Sequence, residues 1–239
     1  VLQTYDKLSD ELNTIEFSSK NVDELQEKID KILIKLNKLA NDISAKRKDY
    51  AQVLSSLIVD ELEKLELAKS RFEIRITPKE LSSDGIDEVE FYISTNVSQD
   101  LSPLAKTASG GEISRVMLAI KTIFAKSDEI DTVIFDEIDT GVSGMMALVL
   151  GEKLCMVSKF AQVICVTHLA QVASFGKTQF LIEKSESQGK TITSVKELDR
   201  TERVKEIARL VSGVVSEKAL QSAEELLKNA EDFEIANSI

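Results

Sequence analysis

For its first 70 residues the chain contains no glycine and no proline, and apolar residues return at every seventh position: Leu8, Ile15, Val22, Ile29, Leu36, Ile43, Tyr50 and Leu57. A segment with no helix breaker and a single apolar stripe has few folds open to it. A seven-residue repeat of this kind keeps one seam on one side of a helix, as the a position of a coiled coil does. The companion d position is apolar at Leu25, Ile32, Leu39 and Val53 but polar at Ser18, Lys46 and Asp60, so the seam is continuous only in the middle. Asn21, with Glu24 three residues later, has the form of a helix cap after the "FSSK" stretch. These signs predict an arm over residues 1–70: a short helix, a break near 17–21, and a helix from about 22 to 70, roughly 70 Å long at about 1.5 Å per residue. The alternative is an amphipathic helix laid on a globular core, but length and the lack of breakers favour the arm. No second heptad segment occurs in the chain, so the seam calls for a partner strand from elsewhere.

After Phe72 the pattern changes. "RFEIRITP" and "EVEFYISTNV" alternate apolar and polar as half-buried strands do, whereas "DTVIFDE" and "QVICVTH" are continuously apolar, as in a parallel sheet covered on both faces. The helical pattern "GMMALVLGEKLCMVSKF" lies between the latter two, which makes a βαβ unit with a right-handed crossover. "TQFLIEKSESQGKTITSVKEL" reads as a hairpin turning near Gln188-Gly189, with helices to follow at about 201–212 and 216–233. Residues 71–239 are therefore expected to form an α/β domain.

Charge narrows the class further. With 41 Asp+Glu against 30 Lys+Arg, the net charge is -11, which argues against a chain whose main surface is a nucleic-acid groove. Any DNA contact is expected to be local or to lie on a partner. Lys46-Arg47-Lys48 could touch phosphates, although a charge run on a long helix is ordinarily a solvated face. Cys155 and Cys165 sit in apolar segments without ligand spacing and read as reduced core thiols, which fits a cytoplasmic protein. Because Val1 is not an initiator methionine, the sequence is expected to be part of a longer one.

The chemistry lies where the strands end. Asp136 and Glu137 stand at the carboxyl end of one parallel strand and His168 at that of the next, the edge at which open α/β sheets bind ligands. There one carboxylate can hold Mg²⁺ through water, a second can deprotonate an attacking water, and an imidazole can hydrogen-bond a terminal phosphate. Ser109-Gly110-Gly111 opens a helix whose N-terminal amides and dipole favour an anion, with glycine permitting close approach. Each feature alone is compatible with an ordinary turn, a solvated strand end or a structural histidine. Their order and spacing point to a nucleotide site.

One part of such a site is missing. A phosphate-wrapping loop needs G-x-x-x-x-G-K-[ST] between a strand and a helix. Gly176-Lys177-Thr178 and Gly189-Lys190-Thr191 end correctly, but Gln171 and Lys184 occupy the position of the first glycine. Neither stretch joins a strand to a following helix.

"ASGGEISR" resembles the signature motif of the ATP-binding-cassette (ABC) ATPases, "TVIFDEIDTGVSG" their Walker B strand and D-loop, and "VICVTHLAQVA" their switch-histidine strand. With its coiled-coil arm the "DEIDTG" form resembles the SMC-like branch. More narrowly, "PLAKTASGGEISRVMLAIK", "FDEIDTGVSG" and "VTHLAQVAS" resemble the RecN-like DNA repair and recombination proteins of bacteria, over essentially the whole chain. The resemblance implies the C-terminal half of an ABC/SMC-type ATPase head, a P-loop NTPase fold lacking its Walker A half, preceded by a long coiled-coil helix. It implies ATP and Mg²⁺ as cofactors, both needing the N-terminal half, so that this chain alone is expected not to turn ATP over. It implies Asp136 as the carboxylate on the Mg²⁺ side, Glu137 as general base and His168 as γ-phosphate sensor. Ser109, Gly110, Gly111 and Glu112 would contact the γ-phosphate on an opposing head, and Asp139, Gly141, Ser143 and Gly144 would form the D-loop. Ser143 departs from the transporter pattern, which has Asp there. The partners implied are the Walker A half of the same protein, a second copy through heads or coiled coil, and DNA, with no membrane and a nucleoid-associated location. A transporter nucleotide-binding domain and a non-enzymatic coiled-coil protein remain as alternatives. The second differs in that the Asp-Glu pair, the histidine and the glycine turn need not converge.

Overall fold

The computed structural model describes residues 2–96, 98–106, 110–127, 129–142, 144–187 and 190–237, with backbone only at 2–20, 186, 187 and 190. Two compact units emerge, Val1–Val53 with Ile74–Glu90, and Leu54–Glu73 with Phe91–Ile239. The helix α1 (Leu2–Lys64) and the paired strands β1 (Arg71–Ser82) and β2 (Gly85–Ser94) contribute to both.

The break expected near 17–21 is absent, because α1 runs unbroken from Leu2 to Lys64. Ser18, Ser19 and Asn21 are weak helix formers, but each costs only about 0.7 kcal/mol or less, and no glycine or proline stands among them. The helix also stops at Lys64 instead of continuing to 70. There the Leu67 amide donates to the Leu62 carbonyl at 2.9 Å, and Glu66 takes a left-handed φ of 56°. This is the stop that glycine usually makes, here with a glutamate in the strained position.

In the first unit α1 presents two different faces. The heptad seam is open: Val22, Leu25, Ile29, Ile32, Leu36, Leu39, Ile43, Tyr50 and Val53 are all between 43% and 70% exposed. Ala40, Ser44 and Arg47 lie off that seam, and Ala40 and Ser44 are buried. The Ser44 hydroxyl donates to buried Asp87 at 2.7 Å, and Arg47 donates to Asp87 at 3.1 Å and to the Asp84 carbonyl at 2.8 Å. Ser44, and after it Arg47, hold the Asp87 carboxyl below its ordinary value. Arg47 is thus committed to the β1–β2 turn and is not part of a free basic run; Lys46 and Lys48 remain exposed.

In the second unit the end of α1 is core, with Ile58, Leu62 and Leu65 fully buried. Glu61 on this stretch is bridged to Lys153 at 2.5 Å and Lys64 at 2.6 Å. The rings of Phe72 and Phe91 meet at a tilt of 59° with centroids 5.6 Å apart, and β3 (Ser102–Pro103) pairs antiparallel with β2 at Tyr92 and Ile93. A 3-10 turn at Leu104–Lys106 leads towards α2 (Gly110–Phe124), which buries Gly111, Arg115, Val116, Leu118 and Ala119 along one stripe. Strand β4 (Thr132–Phe135) then pairs in parallel with β5 (Gln162–Cys165) around α3 (Met145–Val157), as expected of a βαβ unit.

Coverage of that sheet differs from expectation. Ile134 and Ile164, and Val166 just beyond, are exposed, so the continuous apolar run has one uncovered side in this chain. A short α4 (Ala170–Ala173) precedes the antiparallel pair β6 (Phe180–Ser187) and β7 (Lys190–Glu197). The tip of that hairpin, Gln188-Gly189, lies outside the described residues. Gly176-Lys177-Thr178 falls between α4 and β6, with no helix after it, as a decoy should. Helices α5 (Arg200–Ser212) and α6 (Glu217–Ala236) close the unit. A full capping box between Asp199 and Glu202 starts α5, and Gly213 at φ 78° ends it. Ala170, Ile207, Ala208, Ala219, Ala223 and Leu227 form the cluster beneath them. No described helix is long and apolar enough to cross a membrane.

Candidate functional site

Strand β4 ends on buried Phe135, and the chain turns at once into a loop that sorts its side chains by burial. Asp136 and Glu137 are exposed, whereas Ile138 and Asp139 are buried. Glu137 takes a left-handed φ of 55° to make the turn, an uncommon conformation for a residue other than glycine. The Thr140 amide closes back on the Glu137 carbonyl at 3.1 Å, and the Val142 amide on the Asp139 carbonyl at 3.1 Å. Gly141 and Gly144, at φ 74° and 58°, allow the chain to leave the loop and enter α3.

The start of α2 lies directly on this loop. A β-carbon on Gly110 would fall 2.7 Å from Glu137 Oε2, and one on Gly111 would fall 2.9 Å from the Glu137 carbonyl oxygen and 3.0 Å from Thr140 Cβ. Gly111 is therefore required by the chain's own close backbone approach, apart from any phosphate, whereas at Gly110 the exposed Glu137 carboxylate could swing aside. Two further residues of α2 fasten the contact. The Ser114 hydroxyl donates to the Asp136 carbonyl at 2.9 Å, and Arg115 donates to the carbonyls of Thr140 at 2.8 Å and Ile138 at 3.3 Å. Arg115 is only 8% exposed, and burial lowers its pKa from the usual guanidinium value, against the opposing pull of Glu112 and Glu66. Glu112 itself accepts a hydrogen bond from Thr95 at 2.9 Å.

On its other side the loop reaches the histidine. Asp139 Oδ2 accepts from the Thr167 hydroxyl at 2.5 Å and the His168 amide at 2.9 Å, and lies 3.1 Å from His168 Nδ1. The His168 side chain is 72% exposed and the Asp139 side chain 3%. Burial, together with Asp139 and Asp136, pushes the Cys165 thiol at the end of β5 up to about 12. Both cysteines are free, as expected of reduced thiols.

Of the residues singled out in the sequence, the structure brings Gly110, Gly111, Glu137 and the residues of the 136–142 loop together, and joins Asp139 to His168. Ser109 and Ser143 lie outside the described residues. Among the described residues no group of three or more His, Cys, Asp or Glu side chains could hold a metal. A lone exposed carboxylate such as Asp136 suits Mg²⁺, which keeps most of its waters and takes one or two carboxylates beside nucleotide phosphates. Sequence reasoning missed Ser114, Arg115 and Thr167. Arg115 had a signal, since it stands four residues after Gly111 and three before Leu118, on the buried stripe of α2.

No family model matches the chain. The DNA repair protein RecN of Bacillus subtilis (strain 168) is 39% identical over 248 residues, covering 97% of this chain and 43% of that protein. RecN of Vibrio cholerae serotype O1 is 37% identical over 228 residues, covering 94% of this chain and 41% of that protein. The chain thus spans about 40% of the length of the curated relatives it matches. Among solved structures, an Smc head domain with a coiled coil and joint from Pyrococcus yayanosii is 17% identical at a TM-score of 0.45, covering 77% of this chain and 32% of that one. A likeness that loose fixes no residue correspondence, and none is drawn from it.

Proposed function

The chain belongs to the RecN family of DNA repair proteins, and from that premise we propose that it is the C-terminal half of an ATPase head acting in DNA double-strand break repair and recombination. The observation that carries this reading is convergence. The glycine start of α2, the Asp136-Glu137 strand end and the His168 turn, each unremarkable alone, meet on the single loop 136–142. A coiled-coil interaction protein has no use for such a meeting.

In the proposed reaction bound Mg²⁺-ATP supplies the phosphoanhydride and the metal that neutralises its developing charge. Asp136 would hold that metal through water. Glu137 orients the attacking water and takes its proton. His168 would hydrogen-bond the terminal phosphate, either as a doubly protonated ring or by accepting a hydrogen carried on the phosphate, and Ser109, Gly110, Gly111 and Glu112 would contact the nucleotide of an opposing head. Asp139, Gly141, Ser143 and Gly144 form the loop between heads. We assign the main phosphate cradle to the N-terminal half of the same protein. The uncovered side of β4–β5 supports a missing neighbour, because parallel strands are ordinarily buried on both faces. The open seam of α1 supports a second coiled-coil strand, from that half or from a second copy. DNA is the substrate of the assembled protein, which works beside the nucleoid in the cytoplasm.

The test is Glu137→Gln in the intact protein. ATP binding should persist while hydrolysis falls by about 10², the scale of a lost general base. Hydrolysis at the parental rate would remove Glu137 from the mechanism.

A further inference from the structure

The bond pattern at Asp139 is more specific than a loop contact requires. A carboxylate can only accept hydrogen bonds, so each group within reach of Oδ2 must bring a hydrogen. Two do so as hydrogen bonds, the Thr167 hydroxyl and the His168 amide, and His168 Nδ1 stands 3.1 Å from the same oxygen. The Thr167 hydroxyl is held in turn, because its oxygen accepts from the Leu169 amide at 3.1 Å and its hydrogen is thereby left for Asp139. The carboxylate is buried and the imidazole beyond it is exposed. The two carbonyls flanking Asp139 in sequence, those of Ile138 and Thr140, are the ones Arg115 holds.

We infer that Asp139 is a positioning residue for His168, fixing its ring with the hydrogen on Nδ1 so that Nε2 is the nitrogen offered to a ligand, and offered in the neutral ring as an acceptor. The hydrogen bond one ring nitrogen makes decides what the other can do. A neutral His168 therefore meets a donor, such as a water or a protonated phosphate oxygen, and not a bare phosphoryl oxygen. The doubly protonated ring alone donates from Nε2, with its charge beside Asp139. The same loop carries Glu137, so the carboxylate proposed to activate water and the imidazole are both tied to the 136–142 segment. Arg115 extends that segment to α2, and the glycine start of α2 is then tied to His168 through Asp139. This inference rests on the reading of His168 as a ligand-facing residue, but its first test does not.

His168 is the only histidine in the sequence, so the chain prepared without a histidine tag and labelled with ¹⁵N-histidine gives one imidazole spectrum. The two-bond couplings between ring nitrogens and ring protons identify which nitrogen is bare. In the neutral ring Nε2 should be bare and Nδ1 protonated. A protonated Nε2 with a bare Nδ1 overturns the proposal, and this holds for the parental chain alone, whatever the variants do. Asp139→Ala should then shift His168 towards the Nε2–H tautomer that free histidine favours in water. Thr167→Val, which removes a neighbouring donor but leaves the ring contact, should not. Equal shifts in both variants would reduce Asp139 to a structural residue. In the intact protein Asp139→Ala and His168→Ala should lower kcat by similar factors, with the double variant no slower than His168→Ala; additive losses would break the link. Absence of ATP hydrolysis in the parental protein would sink the function proposed above and leave the tautomer result standing.

Discussion

Replacing Arg115 by methionine tests how α2 holds the 136–142 loop. The guanidinium makes a 2.8 Å bond to the Thr140 carbonyl and a longer one, 3.3 Å, to the Ile138 carbonyl. A hydrogen bond from a charged donor contributes about 1.5–3 kcal/mol net, and the longer bond adds little to the shorter. Methionine keeps the packing of the stem and relieves the burial of a charge, the same burial that lowers the Arg115 pKa. It also leaves the Thr140 carbonyl without its donor. The loss should outweigh the relief but is reduced by it, giving a net destabilisation of about 1–2 kcal/mol. For a chain of this size that is a fall in Tm of roughly 2–8 °C. Arg115→Lys should fall between, because an ammonium keeps the charge but lacks the fork that reaches two carbonyls. Thermal unfolding followed by circular dichroism gives the global term. Hydrogen exchange of the Thr140 and Val142 amides, both bonded back into the loop, gives the local one, and it should quicken before the rest of the chain does. An Arg115→Met protein that melts at or above the parental temperature, with those amides unchanged, would refute the reasoning, since burial of the charge would then cancel everything the bonds contribute.

Two other outcomes can be measured on the same chain. A β-carbon on Gly151 would fall 2.3 Å from Phe175 Cδ2, and the Phe175 ring is already set edge-on to Phe233 at 5.8 Å, so Gly151→Ala should destabilise by about 1–3 kcal/mol in urea unfolding; an unchanged midpoint would mean that the ring moves freely. The Ser82 hydroxyl, and after it Lys79, hold the Asp84 carboxyl at about 2, down from 3.8, so what Asp84 contributes to the turn is present in full above about 3.8 and is lost as pH falls through about 2; a carbon-13 titration with its midpoint at 3.8 would contradict that contact.

The elements most legible in the sequence were those whose periodicity carries its own reason. The alternation of "RFEIRITP" and the apolar run of "TVIF" became β1 and β4, and the capped helices α5 and α6 fall within a few residues of their expected ends. On α1 the heptad was read as a seam that calls for a partner strand, and its described positions from Val22 to Val53 are exposed, but two features escaped. The stop at Lys64 is made by Glu66 in a conformation that glycine normally signals, so no residue announced it. The inner face, with Ala40, Ser44 and Arg47, was hidden because the stronger a/d stripe dominates any count of apolar positions.

At the site the limit is of another kind. The acidic residues of "DEID" are alike in sequence, and only the backbone decides which of them reach solvent. The left-handed turn at Glu137 directs Asp136 and Glu137 outward and Asp139 inward, where burial turns the same carboxylate from a ligand-facing group into the acceptor that holds Thr167 and His168. Arg115 could be seen as a charge on an apolar stripe, but its partners are two backbone carbonyls, which leave no mark on a sequence. Motif spacing therefore singled out residues by type and order, while the bonds of Arg115 to backbone carbonyls came to light only with the loop itself.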